Sequence, residues 1–106
     1  MKQSIRDKLE ALTERHEEIA HLLSDPQTIK DQSRFRDLSR EYARLTDLAR
    51  DFGAFRALEK DLRAAQELAA SDDAELSTLG AEEVETLQER SRALEETLAA
   101  HLVPKD

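Results

Sequence analysis

The chain contains no cysteine, no tryptophan, two glycines and two prolines. Without cysteine it has no disulfide, no thiolate nucleophile and no cysteine-based zinc site. Gly53 and Gly80 stand far apart, so no glycine-rich loop is present to cradle a phosphate. A dinucleotide fingerprint and a nucleophile elbow are excluded on the same ground. Aromatic residues are only Tyr42, Phe35, Phe52 and Phe55, so leucines must do most of the packing and the core must be thin. No long apolar run exists to span a membrane. The polar opening Met1-Lys2-Gln3-Ser4-Ile5-Arg6-Asp7 lacks the apolar stretch of a signal peptide. A cytoplasmic protein is expected.

What is abundant is Ala, Leu, Glu, Arg, Asp and Lys, with 38% of the 106 residues charged. That mix favours long helices or a coiled coil over a sheet fold, and the length fits one small domain. The net charge of −8 argues against nucleic-acid binding over the whole surface. The charge is uneven, however. Residues 30–50 hold six basic and four acidic side chains, whereas 72–101 hold nine acidic and two basic ones. One locally basic face and one strongly acidic helix follow.

The spacing predicts a first helix over 4–23, with Ile5, Leu9, Leu12, Ile19 and Leu22 or Leu23 forming an apolar stripe. Ser4 is the expected cap, and Asp7 suits the positive end of the helix dipole. Ser24-Asp25-Pro26 ends this helix, since the residue before proline is pushed out of helical geometry. Asp25 can cap, and Pro26 can open, a short turn reaching Lys30. A second helix is expected over 33–70, with the stripe Phe35, Leu38, Tyr42, Leu45, Ala49 or Leu48, Phe52, Phe55, Leu58, Leu62, Ala65 and Leu68. Gly53 interrupts the stripe and marks a bend, a break or a close contact. After Ser71-Asp72-Asp73, a short helical turn to Leu79 is expected. Gly80 then separates it from a third main helix over 81–102. The stripe of that helix is Val84, Leu87, Ser91, Leu94, Leu98 and Leu102 or His101, and Glu82, Glu83 and Glu85 load its N-terminal end.

The expected fold is all-α: an elongated antiparallel helical hairpin or three-helix bundle with coiled-coil-like packing. The first helix covers the N-terminal half of the second, and the third covers its C-terminal half. A break near Gly53, giving a compact bundle, is the alternative.

No catalytic constellation emerges. Glu14, Glu17 and Glu18, or Glu82, Glu83 and Glu85, supply carboxylates, but acid–base chemistry needs a pocket that shifts their pKa. A di-metal helical site needs Glu-x-x-His on facing helices, and Glu18 with His21 is a single match. His16 and His21 are five apart and do not share a helix face. Neither a metal nor a cofactor is expected, and the chain reads as a non-enzyme. Arg36, Arg40 and Arg44 lie four apart and form a ridge, with Lys30 and Arg34 nearby. The plainer reading pairs them with acids of the first helix such as Glu14 and Glu18. The functional reading makes them a contact stripe for RNA phosphate or an acidic protein.

Three stretches carry a family resemblance. They are Lys8-Leu9-Glu10-Ala11-Leu12-Thr13-Glu14-Arg15-His16-Glu17-Glu18, then Arg34-Phe35-Arg36-Asp37-Leu38-Ser39-Arg40-Glu41-Tyr42-Ala43, and the exit Leu102-Val103-Pro104-Lys105-Asp106. Together they resemble the start of bacterial class I peptide chain release factors, of the release factor 1 type that reads UAA and UAG. The resemblance implies an N-terminal helical domain at 1–102, with 103–106 beginning a linker to decoding and catalytic domains. Whole factors of this family read the stop codon with a Pro-x-Thr tripeptide and promote peptidyl-tRNA hydrolysis with a Gly-Gly-Gln loop. No two glycines are adjacent here, and Pro26-Gln27-Thr28 lies in the helical break, not at the codon-reading position. The family implies a domain that docks near the stalk base of the large ribosomal subunit. It implies as further partners the GTPase release factor and the enzyme that methylates the Gly-Gly-Gln glutamine. No family motif assigns a role to Arg36, Arg40 or Arg44. Two rival readings are a freestanding, self-associating coiled-coil scaffold and a tRNA-binding helical hairpin, the latter disfavoured by the charge of −8.

Overall fold

The computed structural model describes residues 1–104. It is all-α, with helices α1 (Gln3–Leu23), α2 (Pro26–Lys30), α3 (Gln32–Ala69) and α4 (Ala74–His101) and no strand among the described residues. The chain divides into two compact units, Met1–Phe52 and a second beginning at Gly53. Lys105 and Asp106, the end of the expected linker segment, lie outside the described residues.

In the first unit, α1 buries Leu9 and Ile19, two positions of the expected stripe, and the opening stretch of α3 buries Leu38, Leu48 and Phe52. Leu48, not Ala49, therefore fills the disputed stripe position. Asp25 caps α2 by accepting the Gln27 amide at 2.9 Å, and Pro26 takes the first helical position. Proline loses nothing there, because that amide has no partner in a helix. The Asp31 carboxylate then accepts the Arg34 amide at 3.1 Å and starts α3. Ser4 does not cap α1. The helix begins one residue earlier, its cap position is Lys2, and no side chain bonds the first amides. Arg15 and His16 of α1 meet Glu41, Tyr42 and Thr46 of α3. The connection 24–31 is too short to run back along the pair, so α1 and this stretch of α3 are antiparallel.

Helix α3 passes through Gly53 without a break. A Cβ built at Gly53 would meet nothing within 4 Å, so this glycine serves no close contact.

In the second unit, Phe55, Ala65, Leu87 and Leu98 are buried. Here the structure departs from the sequence expectation. The segment expected as a separate turn before Gly80 is the first part of α4, which runs unbroken from Ala74. Asp73 is its cap, accepting the amides of Glu75 and Leu76 at 2.9 and 3.2 Å. The acid in the first turn is thus Glu75, and Glu82, Glu83 and Glu85 lie further in. Gly80 is buried, and a Cβ there would stand 2.3 Å from the Ala69 nitrogen and 2.7 Å from the Leu68 carbonyl carbon. Two helix backbones meet at this point, and only glycine leaves room for both. Ser77 secures the same crossing, its Oγ donating to the Ala69 carbonyl at 2.7 Å.

Candidate functional site

Arg36, Arg40 and Arg44 are all exposed on α3. The buried side of this helix is set by Leu38, Leu48 and Phe52. At ~3.6 residues per turn Arg36 and Arg40 fall on the side away from it, while Arg44, four residues before Leu48, lies on its flank. Arg36 makes a long contact with its exposed neighbour Asp37 at 3.4 Å. Arg44 acts on Glu41 only through space. Among the described residues Arg40 makes no ion pair or side-chain hydrogen bond. Among the described residues neither Glu14 nor Glu18 pairs with the ridge, and Glu18 is engaged by Arg15 on its own helix. The expected pairing is corrected on that point. The ion pair that crosses from α1 to α3 has the opposite polarity: Arg15 on α1, Glu41 on α3.

That crossing is well ordered chemically. Arg15 Nε donates to Glu41 Oε2 at 2.7 Å and Nη2 donates to Oε1 at 3.0 Å. This two-pronged geometry matches the planar guanidinium to the carboxylate. The hydrogen bond from Arg15 holds the Glu41 carboxyl below the usual range, and partial desolvation opposes the effect. Beside it, the His16 and Tyr42 rings stack with centroids 4.2 Å apart and planes 15° from parallel. Thr46 Oγ1 gives its proton to the Tyr42 carbonyl at 2.8 Å. It therefore accepts from His16 Nε2 at 3.1 Å, which assigns the hydrogen to that nitrogen. These groups close a seam.

His21 and His101 are exposed, and no group of three or more histidine or acidic side chains among the described residues is placed to hold a metal ion. No helix among them is long and apolar enough to cross a membrane. An open depression does lie on α4, lined by Ala74, Glu75, Thr78, Leu79 and Glu82. Sequence reasoning missed it. The signal was present in Leu76 and Leu79, but residues ahead of Gly80 were expected to form a separate turn, so no helix face was traced through them.

Solvent-facing charged side chains on long helices, a closed seam and an open depression describe a helical interaction module. Its sequence matches the PCRF domain over residues 12–106, and the chain belongs to that family, which is the release-factor family of translation termination. No solved structure matches the chain.

Proposed function

We propose that this chain is the N-terminal docking domain of a class I peptide chain release factor of the release factor 1 type. The factor as a whole reads UAA and UAG in the ribosomal decoding site and promotes hydrolysis of peptidyl-tRNA. This domain does neither. It positions the factor near the stalk base of the large subunit, in the cytoplasm, with the GTPase release factor and the glutamine methyltransferase as further partners. The observation that carries the reading is family membership over residues 12–106.

Helices suit the role. A stiff arm spans a gap at low entropic cost and offers rows of side chains instead of a pocket. Arg40, with Arg36 and Arg44 four residues to either side, supplies positive charge on an exposed face. Such a face is attracted to RNA phosphate even on a chain of net charge −8.

The test is a competition assay. Ribosomes halted at UAA are treated with a full-length class I release factor, with this chain in increasing excess. Peptide release should slow, and the chain alone should release nothing. Arg40→Glu with Arg44→Glu should relieve the inhibition. Release of peptide by the chain alone, or no inhibition and no co-sedimentation with ribosomes, would overturn the proposal. Reading the gene beyond the codon for Asp106 gives a second check, with a Gly-Gly-Gln loop expected downstream.

A further inference from the structure

The open depression on α4 has an unusual electrostatic setting. Between Arg63 and Arg90 the chain contains eight acidic residues and no lysine, arginine or histidine. Glu75 and Glu82, which border the depression, make no ion pair among the described residues. They stand seven residues apart, ~10.5 Å along the helix axis. Between them lies Leu79, 56% exposed, with Leu76 beside it at 44%. The cause of this exposure is local. Ser77 and Gly80 both meet Ala69, the last residue of α3. The first turn of α4 therefore extends past the end of α3 and has no part of that helix opposite it. By helical phase Glu82 faces away from Gly80 and its contact, and Leu79 points to the side of it, about 100° round the helix.

An apolar strip rimmed by unanswered carboxylates repels RNA phosphate and favours a positively charged, partly apolar partner. We propose that residues 74–82 of α4 form a docking surface for a cationic amphipathic helix of a partner protein. One apolar side chain of that helix covers Leu76 and Leu79. Lysines or arginines on its flanks answer Glu75 and Glu82. This surface is separate from the arginine ridge, and the proposal does not require the ribosomal reading: peptide binding can succeed where the termination assay fails.

The probe is a synthetic helical peptide of about 18 residues made of leucine, lysine and alanine, with leucines at i, i+3, i+4 and i+7. A scrambled peptide of the same composition is the control. Binding to the full chain is followed by calorimetry and by amide chemical shifts. The patterned peptide should bind more tightly than the scrambled one, with shifts concentrated at residues 74–82. Leu79→Ser should weaken it by about tenfold or more, and its exposure means that the helical circular dichroism should not change. Glu75→Gln with Glu82→Gln should weaken binding and flatten its salt dependence. Equal affinity for both peptides, or an unchanged affinity in Leu79→Ser, overturns the proposal. So does self-association of the chain in sedimentation equilibrium that Leu79→Ser abolishes, since a second copy is then the occupant. Shifts at 74–82 on adding an RNA hairpin overturn it as well.

Discussion

The Arg15 guanidinium of α1 grips both oxygens of the Glu41 carboxylate on α3, at 2.7 and 3.0 Å. The Arg15 side chain is 36% exposed and that of Glu41 27%, so water screens the pair in part and its contribution is modest. Its pH dependence has a definite sign. Glu41 titrates below the usual carboxylate range because Arg15 donates to it. Its stabilisation is therefore complete above the ordinary glutamate pKa of ~4.3 and fades as pH falls through the lower, folded-state value. Glu41→Gln should lower the urea midpoint at pH 7, and the difference from the parent should shrink toward pH 3. A difference of the same size at both pH values would show that the charge is not the cause.

The two glycines should respond oppositely to alanine. Gly80→Ala places a Cβ 2.3 Å from the Ala69 nitrogen, so α4 must move off α3, at a cost of roughly 1–3 kcal/mol. Gly53→Ala meets nothing within 4 Å in an unbroken helix and should stabilise by roughly 0.4–1 kcal/mol. Thermal unfolding of the two variants checks both. A neutral Gly80→Ala would mean that the crossing is looser than described.

Each unit depends on a few leucines. Leu9 and Leu98 are fully buried, and truncation to alanine should cost about 2–5 kcal/mol at each site. Val103, 64% exposed, should tolerate alanine within about 0.5 kcal/mol. Urea titrations of the three variants, with unchanged m-values, provide the measurement.

The caps make a separate prediction. Asp73 accepts two amides of α4, and Asp25 accepts one amide of α2. Alanine at either should cost about 1 kcal/mol. Ser4 lies inside α1, whose first amides no side chain caps. Ser4→Ala should therefore change stability by no more than about 0.5 kcal/mol. If Ser4→Ala costs as much as Asp73→Ala, the start of α1 has been misread.

Much of the fold was legible without coordinates. Of the stripe residues, Leu9, Ile19, Leu38, Leu48, Phe52, Phe55, Ala65, Leu87 and Leu98 are buried, whereas Phe35, expected on the same stripe, is 39% exposed. The Asp25-Pro26 break stands where proline geometry puts it. The start of α4 was not legible. A glycine inside a helical pattern reads locally as a separator, because it costs ~1 kcal/mol relative to alanine. The backbone of Ala69 is what makes Gly80 necessary at that position. Of the candidate site, the exposed arginine ridge was visible from spacing alone. The depression around Leu79 was not, since nothing in the sequence says where α3 stops opposite α4.

The sequence by itself determined that the chain is helical, where proline and the aspartate caps divide it, most of the buried positions, and which family the chain resembles. Those properties depend on side chains a few residues apart and on motifs read in line. Only the tertiary structure decided that Gly80 is a contact and Gly53 is not, and that Arg15 rather than the Arg36–Arg40–Arg44 ridge forms the ion pair between α1 and α3. It also decided that Leu76 and Leu79 remain uncovered. Each of these turns on which residues from distant parts of the chain come to lie at the same level of a packed pair of helices, and periodicity within one helix does not specify that register.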